Sequence, residues 1–148
     1  MRVILFLSLL VVFHVSTASV DKFLFHFKLS CNFPYYPVYQ YEIRFLEEDT
    51  ITSSEWITSQ LTVQMRQGVS EKRMEGVQDD GDELFSAGYN VNAFIYHNCT
   101  KSGGSPSTYL RLHINQLCTI GLSCKIYFQE DLTNREGDYW INAQVTQF

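Results

Sequence analysis

Few side chains in this sequence have the type and spacing to do chemistry, and they fall into four groups. Cys31, Cys99, Cys118 and Cys124 are the cysteines of the chain. An even count outside the cell means disulfides, with three pairings open. Metal binding would need CxxC pairs or clustered histidines, and neither occurs. Histidine could serve as a catalytic base, but a nucleophile, a base and an orienting group must converge in one place. His26 and His113 alternate with apolar residues on runs of strand type, so they read as surface residues. His97 shares its side with Ile95 and Cys99, where a hydrogen bond to a turn is the simpler role. Asp79-Asp80-Gly81-Asp82-Glu83 lacks the ligand spacing of a calcium loop and reads as a turn. Asn98-Cys99-Thr100 is an N-glycosylation sequon at the end of a strand. No catalytic set, metal site or cofactor is expected.

The elements that position these residues show period-2 alternation, the pattern of half-buried strands. From Lys22 to Cys31, Phe23, Phe25, Phe27, Leu29 and Cys31 share one side, and Leu24, His26, Lys28 and Ser30 the other. From Val38 to Glu47, Tyr39, Tyr41, Ile43 and Phe45 point inward, with Gln40, Glu42 and Arg44 outward. Leu61, Val63 and Met65 form a third row. Asp82–Ser86, Val91–Cys99, Thr108–Asn115, Lys125–Glu130 and Tyr139–Thr146 complete the set. Arg66–Asp80, polar and holding Gly68 and Gly76, reads as a long loop, as does Lys101–Ser107. Glu47–Ser54 is the one place for a helical turn. Seven to eight short strands predict an all-β, two-sheet sandwich of immunoglobulin-like type.

The first eighteen residues carry a different signal. Arg2, then an apolar run from Val3 to Val15, then Ser16-Thr17-Ala18 is the order of a secretory signal peptide. Its roughly dozen-residue core is shorter than the ~20 residues of a membrane span. The expected organisation is therefore a leader over 1–18 and one domain over 19–148. The domain should be secreted and extracellular, without a transmembrane anchor. The net charge of −5, with no basic stripe, excludes nucleic acid as a partner.

Parity then narrows the cysteine pairings. Cys31 and Cys99 both point inward at strand ends. If successive strands alternate in direction, the two ends share one rim and can join the sheets. Cys118 and Cys124 flank a short loop at the other rim. Cys31–Cys99 and Cys118–Cys124 are thus the favoured bridges.

Several short motifs resemble the nematode transthyretin-like secreted family. They are Leu29-Ser30-Cys31-Asn32, Glu42 to Thr50 ending in an acidic Asp-Thr turn, Asp80-Gly81 followed by Phe85-Ser86-Ala87-Gly88, and Ile95-Tyr96-His97-Asn98-Cys99. They occur in family order over Phe23 to Glu130. The chain departs from the pattern at Phe33-Pro34-Tyr35-Tyr36-Pro37, in the length of Ile51–Asp80 and in its second cysteine pair. The resemblance implies a transthyretin-like sandwich used for recognition. It also raises two rivals, a carrier of a small apolar ligand and a hydroxyisourate hydrolase. The latter ends in a Tyr-Arg-Gly-Ser tail, which Val145-Thr146-Gln147-Phe148 lacks. A purely structural secreted protein is a further rival.

The expected role is an extracellular binding or signalling module for a protein or cell-surface partner. Its expected contacts are Phe33, Tyr35 and Tyr36 in the proline-stiffened turn. By the direction argument this turn shares a rim with Arg66–Asp80 and Lys101–Ser107. Rigid aromatics are good anchors; alternatively they fold back and cover the end of the sandwich. Edge strands of such a fold also allow a homodimer.

Overall fold

Phenylalanine rows with period 2 have to be buried against something, and here they bury one another. In the computed structural model, which describes residues 20–34, 37–49, 53–79, 88–101, 103 and 105–148, two sheets meet over an aromatic core. In chain order the strands are β1 (Val20–Cys31), β2 (Val38–Glu47), β3 (Glu55–Trp56), β4 (Leu61–Arg66), β5 (Gly68–Asp79) and β6 (Gly88–Tyr89). They continue as β7 (Val91–His97), β8 (Thr108–Ile114), β9 (Cys118–Thr119), β10 (Cys124–Asp131), β11 (Gly137–Ile141) and β12 (Gln144–Gln147). One sheet has the order β12-β10-β1-β5 and the other β11-β8-β7-β2-β3, with β4 also on β2; β6 and β9 pair separately. The all-β expectation holds, with twelve described strands in place of seven or eight.

The two predicted inward rows face each other. Phe23, Phe25, Phe27 and Leu29 of β1 are buried, as are Tyr39, Tyr41, Ile43 and Phe45 of β2. Phe25 stacks on Phe45 with ring centroids 3.7 Å apart, and Phe27 stacks on Phe128 at 5.7 Å. The buried tyrosine hydroxyls need partners. Tyr39 donates to the Leu29 carbonyl at 3.0 Å, and Tyr41 meets Ser70 Oγ at 2.7 Å. Both bonds cross from one sheet to the other. Burial accordingly raises both tyrosine pKa values above the usual range.

Two expectations are corrected. Arg66–Asp80 is not a loop: Gly68–Asp79 is a twelve-residue edge strand paired along β1, from Cys31↔Gly68 to Val20↔Asp79. Its two glycines do what turns and close approaches require. Gly68 has a φ of 125° where the chain passes from β4 to β5, a conformation open chiefly to glycine. A Cβ on Gly76 would sit 2.3 Å from the Ile57 carbonyl oxygen, so the absence of a side chain lets that carbonyl reach the Val77 N–H at 3.3 Å.

Second, Tyr139–Thr146 is not one strand. β11 runs parallel to β8 in one sheet, whereas β12 runs antiparallel to β10 in the other. The chain changes sheet at Asn142-Ala143, where the Ile141 carbonyl accepts from the Asn115 N–H at 3.1 Å. Glu55–Trp56, just after the expected helical turn, adds a short strand on β2, and residues 50–52 of that turn lie outside the described residues. The expected leader, the expected strand Asp82–Ser86 and nearly all of the expected Asp79–Glu83 turn lie outside the described residues.

Candidate functional site

Both favoured disulfides are present: Cys31–Cys99, with Cα atoms 5.8 Å apart, and Cys118–Cys124 at 6.0 Å. Because Cys124 pairs with Phe23 at the other end of β1, the bridges mark opposite rims. Both pairings are those favoured by inward parity and strand direction.

The rim of the first bridge is knitted rather than open. Phe33 is only 7% exposed, and its carbonyl accepts from Gln67 Nε2 at 3.0 Å. It covers the end of the sandwich, so it is lost as a contact anchor. Tyr35 and Tyr36 lie outside the described residues. Asn98 is half-buried, with Oδ1 accepting from the Gln40 N–H at 2.8 Å. Asp131 accepts from Thr133 Oγ1 at 2.6 Å, from the Thr133 N–H at 3.0 Å and from Asn32 Nδ2 at 3.0 Å. Burial alone would raise its pKa, but these bonds outweigh burial and hold the carboxyl below its ordinary value.

His97 is part of this rim and is sealed from solvent. Nε2 lies 2.8 Å from the Arg135 carbonyl, so it carries the proton. Nδ1 accepts from the Cys99 N–H at 3.1 Å. Burial lowers the pKa of the imidazole, and the bond to the Arg135 carbonyl only partly offsets that. The folded state thus binds the proton less readily than the unfolded chain, whose histidine titrates near ~6.5. The stability His97 contributes is complete above that value and is lost as pH falls towards the lower folded pKa. Tm should be flat above about pH 7 and decline on acidification, and His97→Gln should flatten that decline. The measurement is a series of thermal melts over pH; an unchanged slope in the variant would show that another group governs it.

The side chains that sequence reasoning missed lie on the outer face of the β11-β8-β7-β2-β3 sheet. Register places Trp140, His113, Asn92, Leu46 and Trp56 in one row across the five strands. At ~4.8 Å per strand, the two tryptophans stand about 19 Å apart. The next row holds Asp138, Arg111, Phe94 and Arg44, and the third Tyr109, Tyr96 and Glu42. Trp140 is 72% exposed, Trp56 44% and Tyr96 38%. The rings are held in place by their neighbours. The Arg44 guanidinium lies 3.5 Å from the Trp56 ring centroid, and Trp56 meets Phe94 edge-on at 5.4 Å. His113 stacks on Trp140 at 4.6 Å, while its Nε2 meets Asp138 Oδ1 at 3.3 Å. Arg111 is clamped to Glu48 Oε2, and its cation faces the Phe94 ring at 5.0 Å.

A cleft of about 180 Å³ opens beside Trp140, lined by Glu48, Asn90, Asn92 and His113. Asn92 Nδ2 donates to Glu48 Oε2 at 3.3 Å, so both hydrogen bonds to Glu48 fall on the same oxygen. Among the described residues, no group of three or more His, Cys, Asp or Glu side chains could hold a metal ion. The signal for this face was available as parity. Leu110, Leu112 and Ile114 turn inward, so Tyr109, Arg111 and His113 had to turn out.

No protein-family model matches the chain, and no curated protein does. Among solved structures it is similar to a "putative cell adhesion protein" from Bacteroides ovatus, at 12% identity with a TM-score of 0.31. That likeness covers 87% of this chain and 43% of the other. The class that fold and disulfides define is an all-β, multi-sheet protein with two covalent bridges. No helix among the described residues is long and apolar enough to cross a membrane.

Proposed function

We propose that this is a secreted recognition module that binds a cell-surface ligand on the outer face of the β11-β8-β7-β2-β3 sheet, and that it acts by binding rather than catalysis. The observation that carries this reading is one sheet face with exposed aromatics, Trp56 and Trp140 in its first row and Tyr96 in its third, and with Arg44 and Arg111 in the row between. Tryptophan, tyrosine and arginine dominate binding energy at interfaces. Their bracing here limits the rotamer entropy lost when a partner docks. The end-loop reading has lost Phe33 to the core. Two disulfides suit an oxidising compartment outside the cell, and the leader-like start of the chain supports the same destination. The motifs shared with transthyretin-like secreted proteins support a place in that family.

The carrier alternative has less support. The space between the sheets is filled by Phe25, Phe27, Phe45 and Phe128 in ring contact. A small apolar ligand would need a site between subunits instead.

The test is binding of the labelled, oxidised chain to intact cells and matrix of its source organism. Trp56→Ser with Tyr96→Ser should reduce binding at least tenfold with little change in melting, since both side chains are more than a third exposed. Val69→Ser, on an exposed side chain of β5, should bind as the wild type does. Equal binding by the double variant would refute the outer-face reading.

A further inference from the structure

We propose that the outer face of the β12-β10-β1-β5 sheet binds a sulfated polysaccharide, with one sulfate group seated in the cleft beside Leu24. This face lies on the sheet opposite the exposed tryptophans and is independent of their role.

Register assembles the site from three strands. Because Phe23, Phe25 and Phe27 are buried, Lys22, Leu24, His26 and Lys28 of β1 turn outward. Leu24 has Lys125 of β10 on one side and Glu75 of β5 on the other, and His26 has Tyr127 and Arg73. The Lys22 Cα is about 6.7 Å from that of Leu24 along the strand, and the Lys125 Cα about 4.8 Å across the sheet. Lys22, Arg73 and Lys125 thus gather around one leucine. A cleft of about 260 Å³ opens there, with Leu24, His26, Arg73, Glu75 and Lys125 in its walls.

The local charge is positive. All three cations are exposed and make no ion pair among the described residues. Glu71, on the same face, is already engaged: His26 Nε2 donates to its Oε1 at 2.6 Å, and Lys28 Nζ lies 3.4 Å from its Oε2. Glu75 alone is left to offset three cations. Asp79 and Asp131 stand at opposite ends of the face, level with Val20 and Ser30, about 13 Å or more along the strands from Leu24. The net charge of −5 does not cancel the patch, since fields between exposed charges fade within ~8 Å at physiological salt.

A sulfate ester fits this set. The arginine fork pairs with two oxygens of a tetrahedral oxyanion, and lysine supplies a mobile point charge. Glu75 can accept from a sugar hydroxyl. Lys22 is outside the cleft walls and so meets a neighbouring sulfate, which favours a polymer over a single ion. An anionic bilayer fits less well, because three cations at about 1 kcal/mol each need apolar anchors beside them. Val69 and Val77 are exposed on the edge strand and Phe148 at the rim, away from the centre. Nucleic acid needs aromatic platforms for its bases, and Tyr127 is half-buried with its ring 5.1 Å from His26.

The test is binding of the full oxidised chain to immobilised heparin, with desulfated heparin, hyaluronan, duplex DNA and phosphatidylserine vesicles as comparisons. Heparin should bind at about 50 mM salt and lose at least tenfold in affinity by about 300 mM. Desulfated heparin and hyaluronan should not bind. Arg73→Gln with Lys125→Gln should weaken heparin binding at least tenfold with unchanged melting. Arg66→Gln with Lys101→Gln removes the same charge away from this face and should weaken it less than twofold. Glu75→Gln should tighten it severalfold. The proposal is overturned if heparin does not bind, if the Arg73/Lys125 variant binds as well as the wild type, or if the Arg66/Lys101 variant loses as much. Tighter binding to hyaluronan, DNA or vesicles would overturn it too. Trp56→Ser with Tyr96→Ser should bind heparin as the wild type does. A loss there would place heparin on the other sheet and end the proposal, whereas cell binding lost with heparin binding kept would leave both readings standing.

Discussion

Cys31→Ala with Cys99→Ala should lower the unfolding free energy by about 4 kcal/mol on the chain-entropy model. The bridge closes 68 residues of sequence, and the loop entropy it removes from the unfolded chain grows with that length. Cys118→Ala with Cys124→Ala, spanning six residues, should cost only about 2 kcal/mol. Denaturant melts of the two double variants would check the order as well as the size. Equal losses would mean that native-state packing around the sulfurs outweighs loop entropy. The first bridge joins the two sheets through the ends of β1 and β7, so its loss should also weaken the rim that holds Phe33 and His97. The outer face lies elsewhere and should keep its ligand in whatever fraction remains folded.

Phe45→Ala should cost about 3–5 kcal/mol, the range for deleting a large buried ring. Phe45 is fully buried and is in ring contact with Phe25, Phe27 and Phe128. Those three come from the opposite sheet, on β1 and β10. The surrounding strands are hydrogen-bonded in register on both sides and cannot collapse into the space, so the upper half of the range is expected. Trp140→Ala, by contrast, should change stability by less than about 0.5 kcal/mol, as for exposed sites in general. Chemical unfolding of both variants measures the contrast. Together with the disulfide pair, it separates what holds the sheets together from what they display.

The core was legible because burial repeats every second residue. The rows of β1 and β2 could be read from the spacing of aromatics, and inward parity with strand direction then favoured the Cys31–Cys99 pair. β5 was hidden by its composition. Glu71, Lys72, Arg73 and Glu75 look like a solvated loop, yet charges of this kind are what an exposed edge strand carries to resist pairing with other chains. Gly76 added to the disguise, since its small size answers to Ile57, a residue far away in sequence. The change of sheet at Asn142-Ala143 was invisible because the outward and inward alternation continues across it.

The site was harder to see for a related reason. Trp56 sits in a two-residue strand, too short to show a period, and Trp140 sits in a strand whose parallel partner β8 is non-adjacent in sequence. Phe94 and Tyr96 could have been read as outward from the parity of Ala93 and Ile95. The turn at Phe33 drew notice for its prolines, although its first aromatic belongs to the core.

The central claim is that recognition uses a sheet face and not a loop end. Hydroxyl-radical footprinting of the oxidised chain, free and bound to its cell-surface ligand, addresses it directly. The account predicts that Trp56, Tyr96 and Trp140 become protected on binding. Protection confined to Tyr35 and Tyr36, with both tryptophans oxidised as fast as in the free chain, would contradict it.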